Sequence, residues 1–143
     1  MSENSSTYTL TKMVTMLKEV IQVPHLFSYS QYGFEQCIAF NNLLFITGQA
    51  GIDKDGHVIA DDIETQTEIA FKNIEYALKA GGSSLDQILS MTCYIVDIQK
   101  NGSGFWTMRK KIMPTSAYTS ATIGISGLAM PKLLIEVQCI AAR

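Results

Sequence analysis

Apolar residues recur along this chain with two different periods. At the start they fall at Leu10, Met13, Val14, Leu17, Val20 and Ile21. That is the spacing of one helix face, and it predicts an amphipathic helix over residues 9–22, ended by Pro24. The aromatic, polar stretch His25–Gly33 reads as a connecting loop. Two strands follow, over 34–40 and 43–51, and the Asn41-Asn42 pair between them is a two-residue hairpin signal because Asn tolerates a positive φ. A turn at 53–57 leads to a short strand near Val58. From Asp62 to Ala80 the period returns to that of a helix, with Ile63, Ala70, Ile74, Ala77 and Leu78 on one face and Gly81-Gly82 as the stop. Residues 87–98 predict a strand, 101–104 ("NGSG") a loop, and 105–113 a helix ended by Pro114. Strands over 120–126 and 133–142 close the chain.

The predicted order is a helix followed by β-β-(β)-α-β-α-β-β, with no internal repeat. One sheet with two helices packed on one face is the natural α+β arrangement for it. Strands 87–98, 120–126 and 133–142 are apolar at nearly every position, as in strands buried on both faces. The second face therefore needs a cover, and either the N-terminal helix or a partner subunit would supply it.

At 143 residues the chain fits one domain with a substantial core. A net charge of −2 argues against a strongly basic nucleic-acid surface. The Arg109-Lys110-Lys111 run reads as a solvated helix face. Cys37, Cys93 and Cys139 lie in apolar stretches without C-x-x-C spacing, which suggests reduced thiols in an intracellular protein. His25 and His57 are far apart, and no His/Cys/carboxylate group stands at ligand spacing, so no metal is expected. The first residues lack a charged segment followed by an apolar one, and no apolar run reaches membrane-spanning length. A soluble, cytoplasmic protein with no membrane contact is expected.

One residue stands out chemically. Glu136 is the only residue charged at neutral pH in the apolar run Leu133–Ala142, where an ionised carboxylate is costly unless it is paired or its pKa rises. The residues leave two roles open: a structural carboxylate paired with a main-chain or Lys donor, from Lys132 or a neighbouring subunit, or a general base or water anchor.

"LLFITGQAGID" (43–53), "GGSSLDQILSMTCYIVDI" (81–98) and "GISGLAMPKLLIEVQCIAAR" (124–143) together resemble the reactive-intermediate deaminase family (RidA/YjgF, also called endoribonuclease L-PSP). The resemblance covers roughly residues 32–143 and leaves 1–31 as an N-terminal extension carrying the extra helix. It implies a chorismate-mutase-like α+β fold and a homotrimer whose sheets pack into a central barrel, with small-molecule clefts between subunits. It also implies hydrolysis of enamine or imine intermediates to a 2-oxo acid and ammonia, without metal or organic cofactor. In the family the Glu of the last strand, here Glu136, positions the attacking water. Thr47 and Gly48 stand where the family lines its cleft, and Thr122 where a backbone N–H points at the ligand.

Two family contacts are changed. The deaminases carry an Arg that clamps the substrate carboxylate where this chain has Ser120, and a Tyr where it has Phe34. A carboxylate without its charged partner should lose several kcal/mol of binding. Three readings follow: a divergent imine or enamine deaminase using Glu136, a non-catalytic trimer binding a small metabolite, and, weakest against the acidic charge balance, a ribonuclease or translation inhibitor.

Overall fold

The computed structural model describes residues 18–143. Six strands form one sheet: β1 (Glu19–Val20), β2 (Cys37–Phe40), β3 (Leu43–Ala50), β4 (Ile88–Val96), β5 (Thr119–Ile125) and β6 (Ile135–Ala142). Their spatial order is β1-β2-β3-β6-β4-β5. Every pairing is antiparallel except β4 with β5, which a helical crossover joins in parallel. Helices α1 (Ile63–Ala80) and α2 (Ile98–Ile112) bury Phe71, Ile74, Leu78 and Phe105 against Leu44, Ile46, Met91, Cys93 and Val137 of the sheet. This is the expected α+β arrangement with both helices on one face. Among the described residues no helix is long and apolar enough to cross a membrane.

The local signals explain much of this. Asn41 takes a φ of 53° in the two-residue hairpin that pairs Phe40 with Leu43. Asp62 caps α1 by accepting from the Thr65 N–H at 2.8 Å. Gly81 ends the helix with its N–H on the Ala77 and Leu78 carbonyls. The short strand near Val58 is a single bridge to Ile52.

Four expectations need correction. The helix over 9–22 mostly lies outside the described residues, but its end is not helical. Glu19–Val20 pairs with Ile38–Ala39, and the Ile21 N–H reaches the Cys37 carbonyl. The β-branched Val20 and Ile21 suit a strand that covers the edge of β2.

The second correction is at "NGSG", which is not a loop but the first half of α2. The Asn101 side chain donates to the Val96 carbonyl at 2.7 Å. Gly104 sits where α2 meets α1, and a Cβ there would fall 2.7 Å from Ile63 Cγ2. The turn-forming composition thus serves close helix contact.

Third, the strand expected from residue 34 starts at Cys37, leaving Phe34 in the loop. Fourth, β4 and β6 alternate in burial and β5 has no buried residue, so these strands are not buried on both faces in one chain. The face away from the helices carries Phe40 and Phe45, more than 40% exposed.

Two buried amides on α1 fix the ends of the central strands. Gln66, fully buried, donates to the Ala60 and Lys132 carbonyls and accepts from the Leu134 N–H, all at 2.9 Å. Asn73 donates to the Ala50 and Ile52 carbonyls at 3.1 and 3.0 Å. Gln66→Leu should destabilise the protein by about 3 kcal/mol, because buried backbone groups lose their partner; chemical denaturation at neutral pH measures it. Gly104→Ala should lower the thermal midpoint even though Ala favours helices, because overpacking against Ile63 costs about 1–3 kcal/mol. A raised midpoint would refute the close-contact account of "NGSG".

Candidate active site

Glu136 lies second in β6, opposite Ala50 of β3 and Tyr94 of β4. Its neighbours Ile135 and Val137 are buried on the helix side, so alternation turns Glu136 to the other face. The β3–β6 register slips between Ile46 and Gln49, making a bulge at Thr47-Gly48 beside the carboxylate. Gly48 leaves room for the carboxylate: a Cβ would sit 2.6 Å from Glu136 Oε2 and would displace it. Burial raises the Glu136 pKa above its ordinary value. The Glu136 carboxylate has no cationic partner among the described residues, and Lys132 does not fill that role. The structural ion pair left open by the residues is therefore not formed within the described chain.

The loop ahead of β2 brings an aromatic group to this end of the sheet. Tyr29 stacks on Phe34, with ring centroids 4.7 Å apart, and meets Phe27 edge-on at 5.2 Å. Burial raises the Tyr29 pKa, and the negative charge of Glu136 raises it further. Tyr29 thus brings a hydroxyl beside the Phe34 ring, from within the stretch expected to be only a connecting loop. A polar relay holds this loop in place. Gln36 donates to the Phe27 carbonyl at 2.7 Å, and the buried Gln49 donates to the Gln36 side chain and to the Thr47 carbonyl. Thr47 is committed as well, its hydroxyl donating to the Glu35 carbonyl.

Ser120 and Thr122 form a second group on the opposite side of the sheet. They pair in register with Met91 and Cys93, whose side chains are buried under the helices. Arg109 of α2 donates from Nη1 to Ser120 Oγ at 2.7 Å. Lys110 and Lys111 are exposed, but Arg109 is turned inward. The reading of the whole basic run as a solvated face is therefore corrected: Arg109 is four residues after Phe105 and lies over its ring, 5.1 Å from the centroid. One chain thus brings together Glu136, Gly48, Thr47 and Phe34, and separately Ser120 and Thr122.

The thiols are no rival nucleophiles. All three are free and buried; burial pushes Cys139 up to about 12 and Cys37 to about 11. Asp53, Asp55 and His57 bring ligand-type atoms within 4.8 Å of one another. Asp53 Oδ1 already accepts from the Asp55 and His57 N–H groups, as in an Asp-led turn.

Comparison with known proteins decides the family: a model of the endoribonuclease L-PSP family matches residues 27–143. The chain belongs to this family. A RutC family protein of Pyrococcus horikoshii is 32% identical over 113 residues, covering 77% of this chain and 86% of the relative. Reactive Intermediate Deaminase A of Arabidopsis thaliana, a chloroplastic protein, is 30% identical over 112 residues, 76% of this chain and 57% of that one. Among L-PSP-like structures, YyfA of Yersinia pestis, described as a conserved Rid family protein, superposes with a TM-score of 0.79 at 29% identity. That match covers 89% of this chain and all of YyfA. Yeast Mmf1 superposes with a TM-score of 0.83, covering 89% of this chain and 99% of that one, at 21% identity; it supports the fold alone.

A raised carboxyl pKa has a defined effect on stability. The folded state holds the Glu136 proton at a pH where the unfolded chain has lost it. Its contribution is therefore fully present below the unfolded value, near 4.5, and is lost as pH rises through the folded value. Glu136→Gln should accordingly melt higher than the wild type at pH 7, with the difference closing as pH falls below 4.5. Thermal melts across that range check it, and an equal or lower midpoint at pH 7 would contradict the burial account.

Proposed function

We propose that the chain is a hydrolytic deaminase of reactive enamine or imine intermediates, chiefly 2-imino acids. It works as a cytoplasmic homotrimer with ligand in the clefts between subunits. The observation that carries this reading is Glu136: a partly buried carboxylate without a cationic partner among the described residues, held over a glycine bulge, with Tyr29 near enough for its hydroxyl to feel the charge. Such a group orients a water and takes its proton. The hydroxide adds to the imine carbon and the proton passes to nitrogen. Glu136 then relays the proton of the new hydroxyl to the nitrogen, and the C–N bond breaks as the C=O forms, giving a 2-oxo acid and ammonia. The Arabidopsis relative, named a reactive intermediate deaminase, supports the same class of reaction.

The geometry of one chain supports the trimer reading. Glu136 and the Ser120–Thr122 pair point to opposite faces of one sheet, so a single chain does not enclose one small molecule with both. A neighbouring copy would bring its own Glu136 face to the β5 edge. The exposed Phe40 and Phe45 would be covered in the same contact. The second reading, a trimer that binds a metabolite without turning it over, is favoured by Phe34 and Ser120, which replace two polar family contacts. The ribonuclease reading has the family's description on its side, but the net charge of −2 weighs against it.

A 2-imino acid generated by a pyridoxal-phosphate amino-acid dehydratase provides the assay. The wild type should accelerate release of the 2-oxo acid over buffer, and Glu136→Gln should lower kcat/KM by about 10²–10⁴-fold. A wild-type rate equal to buffer would favour passive binding. Light scattering should give three times the chain mass of 15.8 kDa; a monomer at micromolar concentration would remove the inter-subunit cleft.

A further inference from the structure

Arg109 carries a charge that the deaminase scheme above does not use. Arg109 is half-buried as a residue, and its guanidinium lies 5.1 Å from the Phe105 centroid and 5.8 Å from that of Tyr118. Nη1 meets Ser120 Oγ at 2.7 Å and the weak acceptors Cys93 Sγ at 3.6 Å and Met91 Sδ at 3.9 Å. Among the described residues no carboxylate pairs with it, and no acceptor meets Nε or Nη2. Beside it opens a hollow of about 340 Å³, lined by Trp106, Arg109, Lys110, Thr115, Ser116 and Tyr118. That size suits a small metabolite. Two cations, three hydroxyls and an indole line it, and no acidic residue does.

A guanidinium flanked by two rings, held by one hydroxyl and left with free donors presents a planar fork that matches a carboxylate. We propose that Arg109 binds the carboxylate of a small 2-oxo or 2-imino acid, with Ser120 holding the guanidinium in position. The identity of the ligand's other end rests on the deaminase reading. The expectation that Ser120 leaves a substrate carboxylate without a charged partner is thereby revised: the charge comes from α2, eleven residues earlier in the chain. A phosphate can also meet the fork with two oxygens, but the Trp106 and Tyr118 rings that line the hollow suit the carbon chain of an organic acid, which inorganic phosphate lacks.

The chain has two arginines, which makes a direct test simple. Arg143 is already engaged, its Nε donating to the Asn41 carbonyl at 3.1 Å and its Nη2 lying 3.7 Å from Glu19. The full-length ¹⁵N-labelled protein is titrated with 2-oxobutanoate, with 2-oxobutanamide and with inorganic phosphate, while the arginine Nε–H signals are followed. One signal should shift and saturate with the acid, and neither the amide nor phosphate should match it. Arg109→Gln should weaken acid binding by about ten- to a hundredfold, the loss expected when a charge-assisted pair is removed, and Arg109→Lys should recover part of it. Where Arg109→Gln fails to fold, the wild-type signal decides. The proposal is overturned if 2-oxobutanoate does not bind, if it binds without moving the Arg109 signal, if the amide or phosphate binds as tightly, or if Arg109→Gln binds it unchanged. Acid binding through Arg109 in a protein that does not hydrolyse the imine would uphold the anchor and remove the deaminase reading.

Discussion

The side chain of Gln66 joins pieces of chain that the sequence holds far apart. Its amide donates to the carbonyls of Ala60 and Lys132, and its oxygen accepts from the Leu134 N–H, one residue before β6 begins. With no exposure to water, all three bonds act at low dielectric, where an unmet partner is expensive. They set where β6 enters the sheet and therefore which residue faces the bulge at Gly48. Asn73, two turns along the same helix, does the same for the exit of β3. The position of Glu136 over Gly48 is thus controlled from the opposite side of the sheet, by polar groups that touch no ligand.

The parts of the fold that were legible in the sequence are those whose cause is local. The Asn41-Asn42 hairpin, the Asp62 cap and the Gly81-Gly82 stop each follow from the backbone preferences of a few residues. What was not legible depends on distant partners. Glu19–Val20 becomes a strand only because β2 offers an edge, and "NGSG" becomes helix because α1 needs close approach at Gly104 and Asn101 finds the Val96 carbonyl. The site divides in the same way. Glu136 was visible because one charge in an apolar strand is conspicuous. Arg109 was hidden by its two lysine neighbours, although its spacing from Phe105 was a usable signal. Tyr29 was hidden in an aromatic loop, because nothing in that stretch indicates that it faces a carboxylate from residue 136.

Two positions at which the resemblance implies a different polar group each have such a group beside them. Phe34 lacks a hydroxyl and stacks on Tyr29, which has one. Ser120 lacks a guanidinium and accepts a hydrogen bond from Arg109, which has one.

The strand order has a consequence for how the molecule is made. β6 is the sixth strand in sequence but lies in the middle of the sheet, between β3 and β4. Residues up to 134 therefore build two separate half-sheets, β1-β2-β3 and β4-β5, each with an unpaired inner edge. Only when residues 135–142 enter between them does either edge find its partner. During synthesis from the N-terminus, both halves must wait with open edges for the strand that carries Glu136, which is the stage at which edge pairing with other chains is most favoured.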